Sequence, residues 1–215
     1  VAMLEGEPGV WTATVYLAAD QGFKFYAEND IFNGFQYRAA GEENVTLAEG
    51  AATSLVSSEV NRNDSKFQVA EAGNYVITCD LNAGTITVKK ADYQDNEIVY
   101  AALWLVGDAT ENGWDLGQPV VLAQDASNPM VYTATADLKE GELQVVVNKF
   151  TSYNSDVYVS DATDATKAIR VNKDSEKNNW KITEAGKYDV KLNVLDNTMS
   201  IIKNVPSAIS SVSCR

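Results

Sequence analysis

The chain repeats itself, and a unit used twice has to be a supersecondary structure that can be closed twice. Residues 10–17, opening with Val10 and Trp11 and ending at Leu17, match residues 131–138, which open with Val131 and Tyr132 and end at Leu138. A glycine follows each, Gly22 or Gly141, and leads into Phe23-Lys24-Phe25 or Leu143-Gln144-Val145. Further along, residues 67–75 match residues 180–188, so that Phe67 aligns with Trp180, Glu71-Ala72-Gly73 with Glu184-Ala185-Gly186, and Tyr75 with Tyr188. Stretches ending at Val88 and Ile201 close the two units. With 215 residues, 45% of them hydrophobic, the chain can supply two cores of roughly 100 residues each.

The period inside each unit is two. Tyr75, Ile77, Cys79 and Leu81 fall on one face of a strand, and Asn82-Ala83-Gly84 and Asp196-Asn197 read as hairpin turns. No segment carries a convincing helical period. The pattern predicts an all-β fold of two tandem immunoglobulin-like antiparallel β-sandwiches. The first module is expected over residues 1–93 and the second over 97–204, with a polar linker at Ala91–Glu97 and a tail at 205–215. The copies differ at their start. The second opens with an apolar strand, Ala102 to Gly107, then Gly113-Trp114-Asp115 and a strand around Val120 to Leu122. Val1 already aligns with the Val120 strand, so the first module is expected to lack its N-terminal strand. Truncation is the expected cause; otherwise another segment or a partner has to cover an unpaired edge.

With 30 acidic against 17 basic residues, the net charge of -13 opposes nucleic-acid phosphates and anionic membrane surfaces. A neutral ligand fits better. No apolar run is long enough for a transmembrane helix, and no segment reads as a signal peptide, so a soluble, already trimmed portion is expected. Histidine is absent, which removes the commonest general base and transition-metal ligand. No nucleophile elbow, phosphate-cradling glycine loop or Cys/His cluster is present. A glycosidase needs two positioned carboxylates, and the glutamates that recur, Glu71 and Glu184, belong to a turn. The expectation is a non-catalytic protein without a cofactor. Asp156, Asp161, Asp164 and Asp174 offer oxygen ligands, but their spacing matches no compact calcium loop, and no metal is assigned. Cys79 and Cys214 form no disulfide framework, and Cys79 reads as a small buried hydrophobe.

Aromatics in alternation pack cores, whereas an aromatic in a polar loop needs another explanation. Trp104, Tyr132, Tyr188, Trp180 and Phe67 read as packing residues. Trp114, in a glycine-bounded polar loop, is expected to present its face to a ligand. Asn148, Lys149, Tyr153 and Tyr158 add aromatic and hydrogen-bonding groups, and in the first copy Asn29, Phe35, Tyr37 and Arg38 form a similar stretch. A sugar has an apolar C–H face ringed by hydroxyls, which suits an aromatic plate beside Lys, Asn or Asp. The alternative is that these side chains pin long loops onto the sheets.

Leu103 to Thr110, Gly113-Trp114-Asp115, Val131 to Thr133, and Leu138 to Leu143 together resemble the SusE/SusF family of outer-membrane starch-binding lipoproteins. The Glu-Ala-Gly-x-Tyr turns and the closing hairpin at residues 196–201 extend the likeness over most of residues 98–203 and, through the repeat, of 1–90. The resemblance implies a chain of non-catalytic immunoglobulin-like carbohydrate-binding modules. It implies a lipid anchor outside these residues, an outward-facing position on the outer membrane, and company with a glycan-import complex. It places ligand contacts at Trp114, Lys149 and Tyr158. The first module lacks the Gly-Trp loop. The resulting expectation is capture of starch or another α-glucan, then of another neutral polysaccharide, by Trp114, Tyr153 and Tyr158 as platforms with Asp115, Asn148 and Lys149 as polar partners. A second site is expected at Asn29, Phe35, Tyr37 and Arg38. The alternative function is a structural spacer or protein-interaction module in a surface assembly.

Overall fold

A computed structural model describes residues 2–27, 34–60, 63–149 and 153–205. These residues form an all-β protein built from antiparallel sheets. The first nine strands are β1 (Leu4–Glu5), β2 (Val10–Leu17), β3 (Phe25–Tyr26), β4 (Phe35–Ala39), β5 (Val45–Thr46), β6 (Thr53–Glu59), β7 (Phe67–Gln68), β8 (Gly73–Asp80) and β9 (Thr85–Lys90). The next nine are β10 (Ala102–Val106), β11 (Val120–Gln124), β12 (Val131–Leu138), β13 (Gly141–Val146), β14 (Val157–Ser160), β15 (Ala168–Val171), β16 (Trp180–Ile182), β17 (Gly186–Asn193) and β18 (Thr198–Lys203). The first set pairs in the order β1-β2-β8-β9-β6-β4-β3 and the second in the order β15-β14-β13-β10-β11-β12-β17-β18, with β16 on β13. One departure from antiparallel pairing is the small parallel pair of β5 with β7.

Register makes the repeat physical. Trp11 lies opposite Cys79 as Tyr132 lies opposite Leu192, and Phe25 lies opposite Tyr37 as Val145 lies opposite Tyr158. Each recurring tyrosine ties its own turn. The Tyr75 hydroxyl donates to the Glu71 carbonyl at 2.8 Å and the Tyr188 hydroxyl to the Glu184 carbonyl at 2.7 Å, a corner that sandwich folds use to fix a strand's entry. The glutamate side chains pair across the hairpin with Lys90 and Lys203, which is why they recur. Phe67 and Trp180 are buried, as are Trp104, Tyr132 and Cys79. Burial pushes the Cys79 thiol up to about 12, consistent with an inert packing residue.

The sets differ in one strand. In the second, β10 fills the position between β11 and β13, with all five of its residues buried. In the first, no described residues stand between β1 and β3. On the far side, β6 pairs with β9, and a bridge from Lys167 to Thr198 brings β15 against β18.

The acidic stretch between the sets, expected as a linker, is docked. Asn74, 1% exposed, donates to the carbonyls of Tyr93 and Asn96 and accepts from the Ile98 N–H at 2.9 Å. Ala101 enters the first core and Ala102 lies in a cluster of the second set. The Gln124 amide donates to Tyr100 at 2.9 Å and to Thr14 at 3.2 Å, so a second-set side chain grips both the connection and the first set.

Candidate functional site

The loop that carries Trp114 stands on a base that only glycine fits. Gly107 follows β10 at a φ of 140°, and a Cβ there would lie 2.2 Å from the Glu142 carbonyl oxygen. That close approach lets the Ala109 N–H donate to the same carbonyl at 3.0 Å. The Gly107 N–H donates across the loop to Gly113 at 2.9 Å, and the buried Thr110 hydroxyl reaches the carbonyls of Gly107 and Gly113. These bonds close the 107–113 loop on itself and tie it to β13.

Trp114 projects from the end of this loop and is 36% exposed. Its indole N–H donates to Asp108 Oδ1 at 2.9 Å, and the Tyr153 hydroxyl donates to the Trp114 carbonyl at 2.5 Å. Asp115 is exposed, and its Oδ1 accepts from the Gly117 N–H at 2.8 Å. Tyr153 packs with Leu116 against the outer face of β10, beside Trp104 and Val106. Burial, with Asp115 adding to it, raises the Tyr153 phenol above its ordinary value. The donors of both rings are spent within the protein. What remains facing outward is an apolar indole surface of fixed orientation next to carboxylates.

Of the six residues expected to bind in the second module, Trp114, Asp115 and Tyr153 come together. Asn148 and Lys149 lie elsewhere, lining a groove of about 740 Å³ with Lys24, Phe25 and Trp104. Tyr158 is a correction: it is 4% exposed, inside the core, with its ring edge-on to Tyr100 at 6.5 Å. Strand β14 is buried on both faces, so alternation gives Tyr158 no way out, and it serves as no platform.

Among the described residues of the second expected site, Phe35 and Tyr37 alternate with Arg38 along β4 and so face the opposite way from it. Asn29 lies outside the described residues. Phe35 is 56% exposed, but Tyr37 packs against the first core. Arg38 is the other correction. Its guanidinium donates to the carbonyls of Ala39 and Gly41 and to the hydroxyls of Ser58 and Ser65, tying β4 to its neighbours instead of waiting for a ligand.

The acidic loop residues are likewise occupied. Asp161 accepts from the hydroxyl and the N–H of Thr163 and from the N–H of Asp164, and Asp164 accepts from the hydroxyl and the N–H of Thr166; these hydrogen bonds, the hydroxyls foremost, hold both carboxyls below their usual range. Asp156 pairs with Arg170 at 2.8 Å. Asp108, which orients the tryptophan, was missed in the sequence; its only signal is its place directly after Gly107.

Comparison with protein-family models and with curated proteins finds no match to this chain.

Proposed function

We propose that the protein is a non-catalytic glycan-binding module of a polysaccharide-utilisation system, and that its second module captures a neutral α-glucan on Trp114. The observation that carries this reading is the half-exposed indole, held at its edge by Asp108 and at its backbone by Tyr153. An aromatic plate fixed before the ligand arrives loses little freedom on binding, and its apolar face matches the C–H face of a pyranose. Asp115 supplies an acceptor for sugar hydroxyls. A net charge of -13 favours a neutral over an anionic polymer. The resemblance of the Gly107 to Asp115 loop to SusE/SusF modules supports starch first, on the outer face of an outer membrane beside a glycan importer.

The test is affinity electrophoresis in gels containing amylopectin, pullulan, dextran or xylan, with a Trp114→Ala variant alongside. Retardation by the α-glucans is expected, with a loss in the variant of about 1–3 kcal/mol of binding free energy. Equal migration of both proteins in every gel overturns the reading. The second reading, a spacer or interaction module, draws its support from the docked connection at Asn74 and Gln124, and it predicts that equal migration.

A further inference from the structure

The groove that takes in Asn148 and Lys149 has a more specific shape than a cleft between modules. Its two banks are the facing edges of the first sheet, β1 with Leu4 and Glu5, and β3 with Phe25 and Tyr26. Its floor includes Trp11, Tyr37, Leu55, Cys79 and Leu81. Through the shared register, Trp11, Tyr37, Leu55 and Cys79 correspond to Tyr132, Tyr158, Ala168 and Leu192 of the second set. All four counterparts are buried in one core with Leu103 and Leu105 of β10. In the first module Trp11, Tyr37 and Phe25 are only half-buried. The groove is therefore the place where the second module keeps β10.

We propose that this slot receives one extended apolar polypeptide strand, antiparallel to both β1 and β3 and leading into β1 as β10 leads into β11. The register fixes its contacts. Leu4 stands where Ala123 faces Ala102, so Ala2 and Met3 stand where Val121 and Leu122 face Trp104 and Leu103. Phe25 and Tyr26 stand where Val145 and Val146 face Leu105 and Trp104. The residues at the Leu103 and Leu105 positions point onto the floor and must be apolar. The residue at the Trp104 position sits between Ala2 and Tyr26. Edge strands that no described strand pairs, over an apolar floor, are the arrangement into which a donated strand pairs. The inference is independent of glycan binding at Trp114.

The experiment joins a copy of residues 100–119, which hold β10 and its connection to β11, directly ahead of Val1. A control carries Asp at the two positions copied from Leu103 and Leu105, and a free peptide copying residues 100–107 is added to the unextended chain. The extended protein is expected to remain monomeric, to gain roughly 5 °C or more in Tm, and to slow amide exchange at Glu5 and Tyr26, whose N–H groups alternate away from β2 and β4, by on the order of 100-fold. The control is expected to show neither change. Extension without protection of those amides overturns the proposal. So does an unextended chain that already protects them as a dimer, since a second copy would then fill the slot. Saturable protection by the free peptide with no gain from extension assigns the strand to a separate protein and overturns the connection to β1.

Discussion

Asp64 accepts from Lys24 at 2.7 Å and also pairs with Lys66, and these ammonium groups, Lys24 foremost, hold its carboxyl down at about 2. A carboxylate whose folded value lies below its ordinary 3.8 contributes stability that is present above pH 3.8 and lost as pH falls towards 2. Asp64→Asn is therefore expected to flatten the acid limb of the stability profile between those values and to lower stability at neutral pH by the same increment, a small one because the pair is exposed and screened. Denaturant titrations at pH 2.5, 4 and 7 check this; an unaltered acid limb would contradict the pairing. Gly107 acts through the backbone. A methyl group there meets a carbonyl that cannot move without breaking the Ala109 and Glu142 contact. Gly107→Ala is expected to cost about 2–3 kcal/mol and to weaken glycan retention together with stability, whereas Trp114→Ala should spare stability.

At the scale of elements, the two tyrosine corners allow an internal comparison. Tyr75→Phe and Tyr188→Phe each remove one hydroxyl bonded to a turn carbonyl, so each is expected to cost about 1 kcal/mol, and equal losses follow if the turns are true copies. Calorimetry of both variants measures it, and a large loss at only one corner would break the equivalence. The strands themselves were readable from alternation. The register of Phe23 with Phe67 and of Leu143 with Trp180 reproduces the alignment of the two copies residue for residue. The aromatic content of β14 was not readable in the same way. Tyr158 follows a polar loop, as an exposed residue would, but it belongs to the second core and the ring of Tyr100 stands edge-on to it. Arg38 sits in an aromatic-rich stretch, yet serines and carbonyls from up to 27 residues away claim its guanidinium.

Across the whole molecule, consecutive residues serve different cores: Ala101 belongs to the first, and Ala102 lies under Ala2 and Leu4 on the outer face of the second sheet. With the connection also bonded through Asn74 and Gln124, the two sets are expected to unfold in one calorimetric transition, and Gln124→Ala to split it in two. Two separate transitions in the unsubstituted chain would refute that coupling. The repeat, the strand alternation, the glycine turns and the difference between the two copies at their start were determined by the sequence alone, since each depends on local periodicity or on comparing one copy with the other. Which loop aromatic faces water, which cation is spent on the backbone, and that an acidic connection is docked were decided only by the tertiary structure. Burial and hydrogen-bond satisfaction depend on groups brought from distant parts of the chain, and no local pattern records who those neighbours will be.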